Sequence, residues 1–227
     1  MPKNNVVSGY EVEHVFERIG QRTMLLNGRR LDPLQLILLV IADITERKRA
    51  EAAVAADLAA MQLLRDLSAR LVAAGDPQVL YEEILTAAVT LTQAEAGTLQ
   101  LLDNQTRELV LLASQGFAPA MTEHFQRVNA SSGTSCGLAL ASGERTFVDF
   151  DAPNQDDADG SLRMHVEAGY LAAQSTPLIT RSGRVIGMFS THWRTHRRPS
   201  ERELRFLDLL ARQAAGLIER KEVEEAL

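Results

Sequence analysis

The strongest constraint on this chain is the run from Glu46 to about Ala74, "ERKRAEAAVAADLAAMQLLRDLSARLVAA", which contains neither Gly nor Pro and is made of strong helix formers. Val54, Leu58, Met61, Leu64, Leu67 and Leu71 recur at three- and four-residue steps, which predicts one apolar stripe along a single helix. Such a helix spans on the order of 45 Å, longer than packing on one small domain requires, so it reads as a connector. Gly75 is placed to end it, and Asp76-Pro77 to start the next helix. A chain of 227 residues is thereby divided into a short N-terminal piece and one full domain.

The N-terminal piece is strand-like. "YEVEHVF", residues 10–16, alternates apolar and polar positions, the period of a half-buried strand. "QRTMLLNGRRLD" reads as a second strand with Asn27-Gly28 as a turn dipeptide, and "LQLILLVIADI" as a third, buried one. These three antiparallel strands have an apolar face and no helices of their own to cover it. The third runs through Asp43-Ile44-Thr45 straight into the charged helix, as a domain does at its end.

Beyond the connector, "PQVLYEEILTAAVTLTQ" (77–93) forms a shorter amphipathic helix, and "AGTLQLLDNQTRELVLLASQGF" a hairpin turning at Asp103-Asn104-Gln105. A short helix at "PAMTEHFQRV" follows. A Ser/Thr-rich loop then leads into a small-residue helix closed by Gly143, and into the strand "RTFVDF". After a polar stretch and a helical "GSLRMHVEAG" comes a second hairpin, "YLAAQSTPLITRSGRVIGMFSTHW", turning at Arg181-Ser182-Gly183-Arg184. The last helix begins at Pro199, with Ser200 and Glu203 in capping-box spacing. Antiparallel hairpins with helices at both ends imply an α+β fold, one antiparallel sheet of about six strands flanked by helices.

Composition limits the function classes. The formal net charge of −6 and a pI near 5.4 give no general attraction for nucleic acid, and acidic residues interrupt the basic patch "HRRPSERELR". The lone Cys136 excludes an intramolecular disulfide and a multi-cysteine zinc site, and fits a reducing cytoplasm. The apolar run "LQLILLVIA" is far short of the roughly 20 residues that cross a bilayer, and the N-terminus lacks a signal-peptide layout. A cytoplasmic protein with no membrane partner is expected.

The segments "SGTSCGLALASGERTFVDF", "AGYLAAQSTPLITRSGRVIGMFSTHWR" and "ELRFLDLLARQAAGLIER" together resemble the GAF domain, a small-molecule sensing module, over roughly residues 60–220. They are most similar to the GAF domains of bacterial sensor histidine kinases. "EVEHVFERIGQRTMLLNGRRL", with Asp43-Ile44-Thr45 and "ERKRAE", resembles the last three strands and signal-output motif of a PAS domain. The resemblance implies a partial PAS piece over 1–47, a signalling helix over 48–75, a GAF domain over 76–220 and the start of an output helix over 221–227. It also implies that the chain begins inside a PAS domain and that the output domain lies outside it.

Cys136 has two readings: a thiolate near a helix start, serving redox sensing or bilin attachment, or a small buried thiol. In GAF domains that bind a bilin through a cysteine a histidine usually follows directly, where this chain has Gly137. GAF domains that reduce methionine sulfoxide need several cysteines, and the Asn-Lys-Phe-Asp-Glu signature of cyclic-nucleotide GAF domains is absent. His192 and His196 are four apart, but a strand would send His192 and Trp193 to opposite faces, so packing or surface roles are expected for both histidines. No nucleophile constellation, phosphate loop or paired metal carboxylates are present, so no enzyme and no metal site is expected.

If a ligand binds, the fold resemblance places it between the sheet and residues 130–170. The expected lining is Cys136, Leu138, Phe150, Met164, His165, Tyr170, Gln174, Met188 and Ser190. The residues identify no cofactor. The apolar positions of the last helix, among them Phe206, Leu207, Leu210, Ala214 and Ile218, cover more than one face and imply burial against the sheet and a second helix. The expected whole is a non-catalytic sensing and relay module, a homodimer through its terminal helices, feeding a kinase or other output domain. A ligand-independent dimerisation scaffold and a Cys136-based redox or bilin sensor remain the alternatives.

Overall fold

The computed structural model describes residues 6–31, 36–73, 76–153 and 157–225. Gly75 and the side chains of Leu67 and Leu71 lie outside the described residues. The chain separates into two units, Met1–Met61 and Gln62–Leu227.

In the first unit, β1 (Val6–Phe16), β2 (Gly20–Leu31) and β3 (Leu36–Asp43) form an antiparallel sheet in the order β1-β2-β3. Asn27-Gly28 is not a turn: Asn27 pairs with Val40 in the middle of β2. Its side chain instead fills a bulge, where the register of β1 shifts between Val7 and Tyr10 and Gly9 N donates to Asn27 Oδ1 at 2.8 Å. The β1–β2 turn falls at residues 17–19, completed by Gly20 at φ +71°. The third strand is not buried as expected. Leu36, Leu38 and Val40 on one side and Ile37, Leu39 and Ile41 on the other are all more than half exposed.

Helix α1 runs unbroken over Thr45–Ala73. The first part of its apolar stripe, Val54, Leu58 and Met61, stands exposed, and burial begins at Ala60 and Leu64.

In the second unit, α2 (Pro77–Thr92) is capped by Asp76, which accepts from Gln78 N at 2.9 Å. There follow β4 (Ala96–Leu102), β5 (Leu109–Gln115), α3 (Pro119–His124), β6 (Arg127–Val128), α4 (Ser135–Ser142), β7 (Thr146–Asp149), α5 (Ser161–Glu167), β8 (Ala172–Ile179), β9 (Val185–Trp193) and α6 (Glu201–Glu225). The six strands form one antiparallel sheet in the order β6-β5-β4-β9-β8-β7, the α+β architecture expected from the sequence. Both hairpin turns fall where read. Asp103 Oδ1 accepts from the amides of Gln105 and Thr106, and Gly183 turns the second hairpin at φ +85°. The capping box of α6 closes, with Ser200 N donating to Glu203 Oε2 at 2.7 Å.

Helices α2 and α6 pack on one face of the sheet and on each other. Phe189 and Trp193 of β9 are buried on that face, and Trp193 Nε1 donates to Thr92 O at 3.3 Å. The second helix demanded by the apolar surface of α6 is therefore α2 of the same chain; of that surface, Leu209 is left exposed. The short helices α3, α4 and α5 cover the opposite face.

Gly187 sits opposite Leu101 with no room for a side chain: a Cβ there would lie 2.3 Å from Gln100 O and 2.7 Å from Leu101 Cδ2. Gly187→Ala is expected to destabilise the second unit by about 1–3 kcal/mol, read as a lower urea midpoint with an unchanged slope.

Candidate functional site

Alternation along the two central strands decides what the covered face contains. The pairings Thr98 with Ser190 and Gln100 with Met188 put polar side chains on the side of α3, α4 and α5. They leave Leu99 and Phe189 on the side of α2 and α6. The covered face encloses a cavity. Its floor is Thr98 and Gln100 from β4, Leu111 from β5 and His192 from β9. Phe117, Met121, Thr122 and Phe125 in and around α3, Thr134, Ser135 and Cys136 at the start of α4, and His165 of α5 complete it. The space open to the centre of a water molecule is about 20 Å³, room for one or two waters.

The start of α4 is fixed by short polar side chains. Thr134 caps the helix, accepting from Gly137 N at 3.4 Å, and its hydroxyl lies 3.2 Å from Cys136 Sγ. Ser175 Oγ donates to Ser135 Oγ at 2.9 Å, which leaves Ser190 Oγ to donate to Ser175 Oγ at 2.6 Å. Next to it, Thr146 Oγ1 donates to Ser135 O at 2.6 Å.

Burial pushes the Cys136 thiol above its ordinary range, against the smaller opposing effect of the Thr134 hydroxyl. The residue is thus held as a thiol, without the thiolate character that redox sensing needs.

The two cavity histidines stack in parallel, with ring centroids 5.3 Å apart and planes 3° apart. Phe150 stacks on His165 at 4.1 Å and lies parallel to His192 at 6.0 Å, and Phe117 meets His192 edge-on at 4.9 Å. His165 Nδ1 is 2.8 Å from Ser161 O. Because a carbonyl can only accept, Nδ1 carries the proton and Nε2 is left as an acceptor. Burial pulls His165 down from 6.5 to about 4, opposed by the Ser161 bond and reinforced by His124. Burial and the neighbouring His165 hold His192 well below its ordinary value. Both rings are therefore neutral at pH 7. Two buried polar atoms of the cavity have no partner: Gln100 Oε1 and His192 Nδ1.

Of the lining expected from sequence, Cys136 and His165 border the cavity directly. Phe150 and Tyr170 support it from behind, with Tyr170 stacked edge-on against Phe117 and its hydroxyl donating to Gly116 O at 2.7 Å. Met164 and Met188 belong to the apolar cluster around Cys136, and Ser190 lies in the serine chain beneath α4. Two residues are not brought to the site. Leu138 is on the outer side of α4, 42% exposed. Gln174 pairs with Thr191 and donates to its hydroxyl at 3.0 Å, on the α6 side of the sheet. His192 lines the cavity and is only 4% exposed, so a surface role does not fit it. His196 is exposed and sits 3.3 Å from Asp151. Thr98, Gln100 and Phe117 were missed, although polar residues alternating with Leu99 and Leu101 mark the covered face of β4.

In the first unit, Asp43, Ile44 and Thr45 form a joint between sheet and helix. Thr45 N and Oγ1 both donate to Asp43 Oδ1, at 2.9 and 2.5 Å. Thr23 N donates to Thr45 Oγ1 at 2.9 Å, and Ile44 N to Thr23 O at 2.9 Å. The Thr45 hydroxyl and amide hold the Asp43 carboxyl below its ordinary range. The first turn of α1 is in this way tied to β2 as well as to β3.

A single-sheet α+β domain with an enclosed cavity under its short helices is the class defined so far. The chain belongs to the GAF domain family, whose model matches residues 74–219. GAF domains are signal-sensing modules. A domain assigned to a two-component sensor histidine kinase from Sinorhizobium meliloti 1021 is similar at 24% identity and TM-score 0.53, over 67% of this chain and 97% of that one. The GAF domain of a phosphoenolpyruvate-protein phosphotransferase from Coxiella burnetii is similar at 22% and 0.60, over 74% and 97%. The free methionine-R-sulfoxide reductase from Neisseria meningitidis, solved with its substrate, is similar at 18% and 0.58, over 74% and 92%. At these identities the likeness establishes the fold. No match is found among curated proteins. Among the described residues, no helix is long and apolar enough to cross a membrane, and no group of three or more His, Cys, Asp or Glu is placed to hold a metal.

The neutral histidines give a signed pH dependence. The unfolded chain protonates His165 near 6.5 and the folded one only near 4, so its contribution is complete above about 6.5 and lost as pH falls towards 4. Wild type is expected to lose about 3 kcal/mol through this group across that window. In His165→Phe, urea titrations at pH 7 and pH 4.5 should show a correspondingly smaller difference.

Proposed function

We propose that this chain is a non-catalytic sensing and relay module of a cytoplasmic signal-transduction protein, the sensory part of a histidine kinase. On this reading, 1–47 are the closing strands of a PAS domain and 48–75 a signalling helix. Residues 76–220 are the GAF sensor and 221–227 begin the helix to the output domain. The observation that carries the proposal is the route from cavity to α6. Thr146 Oγ1 holds Ser135 O at the cavity wall, and the preceding Arg145 donates to Thr176 of β8 at 3.0 Å and to Asp208 of α6 at 2.5 Å. A ligand that moves the start of α4 therefore moves the clamp on α6.

The joint at Asp43-Ile44-Thr45 supports a PAS-type origin for the first unit, because it makes the start of α1 follow the sheet. The exposed Val54, Leu58 and Met61 support a second copy packing along α1 as a parallel coiled coil. Light scattering is expected to give a dimer, and Leu58→Glu a monomer; a wild-type monomer at high micromolar concentration counts against the relay.

Sensing is tested on protein purified under non-denaturing conditions, by native mass spectrometry and by hydrogen exchange with and without whatever small molecule remains bound. The proposal expects exchange across 204–215 to slow on binding in wild type, and to respond much less in Arg145→Met. Consistent absence of a bound molecule, with identical exchange in both proteins, favours a ligand-independent scaffold instead.

A further inference from the structure

Resting on the reading of the cavity as the sensor site, we infer that its ligand is a small uncharged molecule of about one aromatic or heteroaromatic ring. It donates one hydrogen bond to Gln100 Oε1 and places a second polar group against His192 Nδ1. Gln100 is 1% exposed and His192 4% exposed, both border the same cavity, and neither Oε1 nor Nδ1 has a protein partner. Buried polar atoms are almost always bonded, and an orphan pair facing one space marks a place for a group from outside the chain. Gln100 Oε1 can only accept, so the ligand supplies a donor there. His165 Nε2 adds another acceptor on the cavity wall.

The class follows from what the wall lacks. Among the described residues, no Asp, Glu, Lys or Arg borders the cavity. Both of its histidines are neutral at pH 7, so an ion entering it meets no opposite charge and keeps its full desolvation penalty. Carboxylates, phosphates and ammonium groups are thereby excluded. The rest of the wall is apolar and aromatic: Phe117 and Phe125 with Leu111 and Met121. Such a surface suits a flat ring. The free space is close to that of a water or two, so entry of a ring requires the α3 segment to give way. Met121, in this helix of six residues, and Phe125, its C-terminal cap, are the side chains that would have to move.

Calorimetric titration of the whole chain with benzamide, phenol, toluene, benzoate and benzylamine at pH 7 separates the possibilities, since the five share a ring and differ in charge and donors. The inference expects benzamide or phenol to bind and each to bind at least about tenfold tighter than toluene, the worth of one buried hydrogen bond. Benzoate and benzylamine should not bind measurably.

Gln100→Leu provides the second arm. It is expected to weaken benzamide or phenol about tenfold while leaving the apo melting temperature equal or higher, because it removes an unsatisfied buried carbonyl. His192→Phe serves as the parallel variant if Gln100→Leu does not fold. Binding of benzoate or benzylamine in preference to the neutral probes overturns the inference and leaves the sensor reading standing. Absence of binding by any of the five overturns it as well and assigns the cavity to ordered water. A neutral probe that binds without altering exchange across α6 supports the ligand class and contradicts the relay.

Discussion

The antiparallel pairing of β4 with β9 is the constraint on which the GAF unit depends. With Ala96 opposite His192, Thr98 opposite Ser190 and Gln100 opposite Met188, one register sends Thr98, Gln100, Ser190 and His192 to the cavity side. The same register sends Leu99, Phe189 and Trp193 to the side of α2 and α6. A slip of one residue would exchange the faces, putting Trp193 into the cavity and His192 under α2. Gly187 opposes such a slip, because a Cβ standing against Gln100 O would lie only 2.3 Å from it. Core and site are thus two faces of one pairing.

From this follows the chemistry of the cavity. Polar side chains are collected in a closed apolar space, where hydrogen bonds are strong and charges are costly. Ser175, Ser190 and Ser135 satisfy one another in a chain, whereas Gln100 and His192 do not. Neutrality of the histidine pair is a result of the same enclosure. On the opposite face Arg145 ties β8 to α6, so a single layer of strands separates the cavity from α6. Cys136 belongs to the packing of this space, with its thiol held protonated by burial.

Much of the architecture was legible because it is written in local chemistry. Asp76-Pro77, the Asp103 turn, Gly143 and the Ser200–Glu203 box each act within a few residues, and each stands where the sequence placed it. What failed depended on partners distant in sequence. Asn27-Gly28 has turn chemistry, but the Asn27 side chain is spent on Gly9 in the neighbouring strand. Gln174 was expected to line the cavity, but its face is set by its cross-strand partner Thr191, which lies on the α6 side. His192 and Gln100 resemble the solvent side of half-buried strands, and only the covering helices make them interior. The apolar girth of α6 was legible as a need for a second helix, but α2 of the same chain meets most of that need.

The cavity is uncharged at neutral pH, and the nitrogens of its two histidines report this directly. Long-range proton–nitrogen correlation spectra at pH 7 should show His165 and His192 both neutral, with the proton of His165 on Nδ1. His165 should take up a proton only as the pH approaches 4. An imidazolium at either position at pH 7, or His165 protonated on Nε2 alone, would contradict the account.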